Sequence, residues 1–513
     1  MNLAPITKRD ILYILILCAI LILIFYPLFT AEYVYTDEIV QLWQYKKGSN
    51  FQLFLPQGRL ITEKLFQWLF SSASTIRDIT YIRLFSLVGW ILSIPLWYVA
   101  IKRIVVRENL PEILTFFSLL FLVCSQQFCI YVSWAACLEL FLANTAGLLS
   151  GYYLYIAISG WKINRKKAIY LGIMSIIGAQ VSLFTYQSGF GCFLLPFILH
   201  FIKEGKITRN IFIGAMVYLF MYGLYYILFT LSLNMLQADA SSRTDIVIDP
   251  LGKLKFLLLK VMPSSFHFNY VMNESDKTGK ILYRILFAAW IIVNFIQQKR
   301  NTIGQRVAYP FIIVLLWALI YLPSLLVKEN YASNRTLLAL NLSVFFLVMN
   351  SLIKAISSER MKKMVVIGIC TLFVVNAWYN FHKLFLEPIT QEYRLVRRYI
   401  SENYKDDTRI VYFTRPQENF FRQAYGITRS WDELGVPSTF FNWVPEPFVK
   451  QIVFEKTGDR EKANSIEVVS WVRGESDSRS GLASEKGTLW VDVEKITMDK
   501  QSVSTIAPGK GRP

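Results

Sequence analysis

Two adjacent carboxylates, Asp37 and Glu38 in VYTDEIVQLW, follow directly on a run from Ile11 to Phe29 that has no charged side chain. A carboxylate at the edge of an apolar medium is suited to general base work. Partial desolvation raises its proton affinity, and it can take the proton from a hydroxyl as that hydroxyl attacks an electrophilic carbon. Cations further along could serve the other half of such a reaction. Arg59 in LPQGRLITEKLFQWLF, with Lys328, Asn334 and Arg335 in KENYASNRTLLAL, could clamp a phosphate and stabilise the charge that grows on it as it leaves. Glu139 in WAACLELFLANTAG and Tyr186 with Gln187 in FTYQSGF could hydrogen-bond the hydroxyls of a polar substrate.

Each group also has a plainer role open to it. Thr36 is a good helix N-cap, and acids in a first turn gain about 0.3–1 kcal/mol from the helix dipole, so Asp37 and Glu38 could simply start a surface helix. Arg59 opens an amphipathic stretch through Leu60, Ile61, Leu65, Phe66, Trp68 and Leu69 that could lie in a membrane interface. Tyr186 could be an ordinary interfacial tyrosine. Glu139 resists such a reading. An ionisable group a turn inside a span costs roughly 2–3 kcal/mol and normally faces a cavity or a partner.

The elements that must position these groups are membrane helices. The 513 residues are 54% hydrophobic, 15% aromatic and 18% charged, well below the charge of a soluble domain. Apolar stretches long enough for a bilayer of about 30 Å give about eleven transmembrane helices. They lie near 11–31, 83–101, 112–130, 135–158, 168–185, 189–202, 210–232, 281–297, 307–327, 336–353 and 364–382. With Lys8 and Arg9 inside, every second short connection is basic, through Lys102, Arg103 and Arg107, Lys162 to Lys167, Lys203 to Arg209, Lys299 to Arg306 and Lys354 to Lys363. That alternation satisfies the positive-inside rule and puts the candidate residues together at the outer ends of the spans.

An odd number of spans places the segment 383–513 outside. It carries 20 Lys+Arg against 19 Asp+Glu, so +17 of the net +18 belongs to the membrane part. The basic balance therefore reports topology and gives no support to nucleic-acid binding. Helical spacing in EYRLVRRYISENY and EPFVKQIVFEK and strand patterns in TRIVYF and TLWVDVEKI predict a small α/β domain, ending in a frayed STIAPGKGRP. The domains expected are thus 1–382, with outer loops at 32–80 and 233–280, and 383–513. The six cysteines lie in or beside spans and imply no disulfide framework, and the three histidines have no metal-ligand spacing.

An acidic pair straight after a first long span, an amphipathic outer loop, some ten more spans and a small outward C-terminal domain resemble the GT-C superfamily of lipid-dependent glycosyltransferases. YTDEIVQLW, GRLITEKLF and TYQSGF are similar to stretches of the polytopic O-antigen-modifying glucosyltransferases of the Gtr type, and this likeness covers residues 1 to about 380. The resemblance implies a catalytic base at Asp37, with Glu38 as understudy or orienting partner. It implies a polyprenyl-phosphate sugar as donor, a glycan or lipid-linked acceptor outside the cytoplasm, and a multi-pass place in a bacterial inner membrane. Metal-dependent relatives carry further acidic motifs, whereas here Asp245 and Asp249 in RTDIVIDPLG stand four apart, so no metal is expected. A flippase of lipid-linked glycan would also need about a dozen spans, but would place polar groups near the midplane. An O-antigen polymerase or ligase would keep its key arginines in large outer loops.

Overall fold

The computed structural model describes residues 5–247, 249–266, 277–297, 302–427, 434–474 and 487–504. Eight of the described helices are long and apolar enough to cross a membrane, so this is a helical, membrane-embedded protein. They are Lys8–Phe29, Ile76–Arg107, Ala135–Gly160, Arg165–Thr185, Arg209–Leu236, Ile303–Ile320, Leu338–Ala355 and Glu359–Asn403. A ninth is reached by joining Ile113–Cys124 to Gln126–Ser133, which meet at a bend of 51°. Ser125 makes the bend: its extended backbone breaks the first helix, and its hydroxyl accepts from Phe128 N (3.1 Å) to cap the second.

The count falls short of the eleven expected, for physical reasons. The stretch near 189–202 is a 3-10 helix, Gln187–Leu194, followed by the ten-residue helix Leu195–Glu204. Within the helix Lys277–Gln297 the described residues offer a shorter apolar stretch, Arg284–Ile296. Within the bundle, Gly151 lets the 3-10 segment lie directly on Ala135–Gly160: a Cβ there would stand 2.0 Å from the Phe193 carbonyl oxygen. Such small-residue contacts replace the hydrophobic drive that is absent in lipid. Here they draw Glu139, at one end of its helix, towards Tyr186 and Gln187.

The bundle has two polar ends. At the end that holds Lys8, Asp10 meets Tyr98 and Lys102, and Glu108 meets Tyr155 and His200. The basic connections cluster there, with Lys354 within electrostatic range of Lys203. The opposite end holds Asp37, Arg59, Glu139, Tyr186 and Arg335.

The last span continues through a π-helical turn, Asn380–Leu386, into the helix Glu387–Asn403, so the boundary expected at 382/383 falls inside one continuous helical run. Beyond it three strands, β1 Ile410–Arg415, β2 Glu467–Val472 and β3 Thr488–Asp492, form a parallel sheet in the order β2-β1-β3. β1 pairs Tyr412 with Val469 on one side and Trp490 on the other. The second half of TLWVDVEKI leaves the sheet as the helix Val493–Ser504, and residues 505–513 of the expected frayed end lie outside the described residues.

This C-terminal part is seated on the Asp37 end of the bundle. Arg397 pairs with Glu32, and Ile76 N donates to Glu455 (2.7 Å). Gln451 Nε2 donates to Ser74 O (2.9 Å), and Arg460 lies over the Trp43 ring at 4.2 Å while donating to the Trp43 carbonyl (2.6 Å).

Candidate active site

Asp37 begins the helix Asp37–Gln44, but Thr36 does not cap it in the expected way. Thr36 has φ 42°, makes no side-chain cap bond, and leaves its buried hydroxyl without a hydrogen-bond partner among the described residues. A β-branched residue in that region of backbone space is strained by roughly 1–3 kcal/mol and persists only where its surroundings over-determine it. What holds it is visible. Thr36 N donates to Ser438 Oγ (2.8 Å), and Ser438 belongs to a loop pinned by Glu392, whose carboxylate accepts from Ser438 N and Thr439 N, both at 2.9 Å, and from the Thr439 hydroxyl (2.5 Å).

The two neighbouring carboxylates have opposite surroundings. Glu38 is 0% exposed and fully committed. It accepts from Tyr35 N (2.7 Å), Ala135 N (2.5 Å) and the guanidinium of Arg83, which itself donates to the Tyr33 carbonyl (2.9 Å) and lies 3.5 Å above the Tyr33 ring. Removing one partner of such a buried pair typically costs about 3–5 kcal/mol, so Glu38 is a strut that ties the turn after the first span to two further spans. Asp37 is partly buried and sits within electrostatic range of Arg335 and Arg243, with a side-chain hydrogen bond to Trp443. Burial pushes its carboxyl above the ordinary carboxylate range, and Arg335, Trp443 and Arg243 pull it part of the way back.

Arg335 links this carboxylate to a second one. Its guanidinium lies 4.5 Å from the Trp134 ring and bonds the Tyr331 hydroxyl. Its charge also reaches Glu139, which is 1% exposed and whose Oε2 has no hydrogen-bond partner among the described residues. An unsatisfied buried carboxylate oxygen is costly unless something arrives to complete it.

Arg59 also lies within electrostatic range of Glu139. It stacks at 4.2 Å over Tyr186 and donates from Nε to Gln187 Oε1 (3.2 Å). Gln187 is oriented in turn by donating to the Gln57 carbonyl (2.8 Å) and the Tyr225 hydroxyl (2.7 Å). Burial raises the Tyr186 phenol against the pull of Arg59 and Arg335, which keeps it a proton donor. Two guanidiniums, two carboxylates, a phenol and an amide thus converge from five separate stretches of chain.

Asp37, Arg59, Glu139, Tyr186, Gln187 and Arg335 are brought together. Asn334 is buried and turned to Gln127, whose Nε2 donates to its Oδ1 (3.2 Å). Lys328 is exposed, and its backbone N bonds the Asp245 carbonyl (2.8 Å) in a short antiparallel bridge between Ile246 and Val327. That bridge ties the loop carrying Arg243 to the one leading to Arg335. Lys253 reinforces it by donating to the Val327 carbonyl (2.5 Å) and to Asn330 Oδ1 (2.7 Å).

Trp443, Arg243 and Trp134 are missed by sequence reasoning. Trp134 had a faint signal, five residues before Glu139, but nothing in the chain marks Trp443 as a neighbour of Asp37. Among the described residues no group of three or more His, Cys, Asp or Glu side chains could hold a metal ion. Asp245 and Asp249 serve the loop, Asp249 capping the helix Pro250–Phe256 through Gly252 N (2.9 Å). Comparison with protein-family models, with curated proteins and with solved structures finds no match to this chain.

Proposed function

We propose that the protein is a membrane glycosyltransferase that moves a sugar from a polyprenyl-phosphate donor to a glycan or lipid-linked acceptor outside the cytoplasm. The observation that carries this reading is a partly buried carboxylate within electrostatic range of guanidiniums at one end of a membrane bundle, beside a buried carboxylate oxygen that lacks a partner among the described residues. A donor whose tail lies in lipid while its phosphate sits at the boundary needs chemistry at that depth.

In the proposed reaction Asp37 takes the proton of an acceptor hydroxyl as its oxygen attacks the anomeric carbon. A new C–O bond forms, the anomeric C–O bond to phosphate breaks with its electron pair going to the phosphate, and the configuration inverts. Arg335 and Arg59 stabilise the charge gathering on the departing polyprenyl phosphate. Glu139 and Gln187 Oε1 accept hydrogen bonds from the sugar hydroxyls.

The same reading assigns eleven crossings, with the N-terminus in the cytoplasm of a bacterium and the C-terminal part outside. The eight residues of Gln187–Leu194 and the ten of Leu195–Glu204 together reach roughly 30 Å, enough for a bilayer core. Arg284–Ile296 and the bent pair supply the remaining two beyond the eight. The test uses wild type and Asp37→Asn in detergent with a panel of polyprenyl-phosphate sugars and an envelope glycan extract, and reads free polyprenyl phosphate by mass spectrometry. Release by wild type alone is expected; equal release by Asp37→Asn, or none by either, sinks the reading.

A further inference from the structure

Trp443 is 48% exposed, yet it stands on a rigid loop. Glu392 holds Ser438 and Thr439, Arg415 donates to the Phe440 carbonyl (2.8 Å), and Ser438 Oγ receives Thr36 N. The loop carries a short aromatic sequence, Phe441-Asn442-Trp443, in which Phe441 is half-buried against the core and the other two are exposed. The Phe441 and Trp443 rings have centroids 4.9 Å apart and planes 32° from parallel, and Asn442 between them is exposed. The same Trp443 side chain hydrogen-bonds Asp37.

An exposed indole gives up the burial its apolar surface favours, and here the chain adds the ordering of a loop to that loss. Packing does not explain the arrangement. Its chemistry matches one class of ligand. A pyranose has an apolar C–H face that covers aromatic rings, and hydroxyls at its rim that suit an amide and a carboxylate.

We propose that Phe441, Asn442 and Trp443 form the acceptor subsite: a neutral pyranose lays its C–H face on the two rings, Asn442 holds one hydroxyl, and the reacting hydroxyl points to Asp37. This rests on the transferase reading and extends it. The C-terminal part becomes the acceptor-selecting element. Trp443 positions substrate by contact and takes no proton.

The test is saturation-transfer NMR on the full-length protein in detergent, with maltohexaose, cellohexaose and chitohexaose as probes. Transfer to ring C–H protons of at least one probe is expected from wild type and from Trp443→Tyr, with a loss of five-fold or more in Trp443→Ala. Trp161→Ala is the control for exposure alone, since Trp161 is equally exposed (48%) but lies at the opposite end, beside Arg165. An unchanged signal in Trp443→Ala, or no signal from wild type, overturns the proposal. So does a drop in fluorescence quenching by bilayers of brominated phosphatidylcholine on Trp443→Phe, which would make the indole a lipid anchor. Because binding is read without turnover, a platform that binds sugar in a protein that releases no polyprenyl phosphate would reject the transferase and keep the sugar site.

Discussion

The two ends of the bundle use the same residue types and finish them differently. At the Lys8 end each buried carboxylate is closed. Asp10 accepts from Thr7 N (2.7 Å), the Thr7 hydroxyl (2.6 Å) and the Tyr98 hydroxyl (3.0 Å), and pairs with Lys102. Glu108 is held by Tyr155 and by His200, whose second ring nitrogen meets Thr208 (3.0 Å). At the opposite end Glu38 is closed in the same manner, but Glu139 keeps an oxygen in reserve and Arg59 rests on a ring and an amide. Charge alone therefore does not separate scaffold from site in this protein. Completeness of hydrogen bonding at the buried carboxylates does: among the described residues Glu139 keeps an unpartnered oxygen, and a satisfied carboxylate braces its neighbours whereas an unfinished one is open to a ligand.

The strongest way to break this contrast is to exchange the fates of two neighbours. Asp37→Asn should lower turnover by about 10³-fold or more, the upper range for loss of a general base, with an unchanged thermal melt. A mutant retaining a tenth of wild-type turnover would remove Asp37 from the chemistry. Glu38→Ala should do the reverse, costing about 3–5 kcal/mol of stability through the uncompensated Arg83, read as lost folded yield and an early melt. If Glu38→Ala melts like wild type, the distinction between closed and open carboxylates fails.

Arg335→Ala should cut turnover by about 10²-fold, with the loss concentrated in use of the donor. An equal loss for donor and acceptor would count against its place at the phosphate. At the opposite end Asp10→Asn should lower the melting temperature through a weakened Lys102 contact, by about 1–3 kcal/mol, while turnover per folded molecule stays the same. A change in turnover would mean that the Lys8 end takes part in the reaction.

The smallest effect is one of pH. Asp37 must be ionised to act, and its carboxyl is raised by burial, so activity should fall on acidification at a pH above the ordinary carboxylate range. Arg335 lowers that carboxyl, so in Arg335→Gln the acid limb of kcat/KM should move to still higher pH. An acid limb that stays in place, or moves down, would show that Arg335 does not act on Asp37.

Much of the site was legible because charge alternation sorts residues by membrane side. Once the basic connections define one end, Asp37, Arg59, Glu139, Tyr186, Gln187 and Arg335 fall at the other, and the fold does gather them. Lys328 and Asn334 followed the same logic and were placed elsewhere, because side is not depth: one turns out to solvent and the other in to Gln127. The partner of Glu38 was hidden, since Arg83 reads as an ordinary flank of the second span. Trp443 was hidden more thoroughly, by a contact between the turn after the first span and the last third of the chain that leaves no local period to detect. The span count differs where the stretch near 189–202 folds as a 3-10 helix and a ten-residue α-helix, neither long enough by itself to cross a membrane.

The bond from Thr36 N to Ser438 has a consequence in time. Asp37 leaves the ribosome early in synthesis and Ser438 late, and the strained turn before Asp37 is secured only when the two meet. A growing chain already threaded into the bilayer thus carries Asp37 on an unsecured turn, and a truncated one never secures it. Completion of the polypeptide is itself the event that arms the protein.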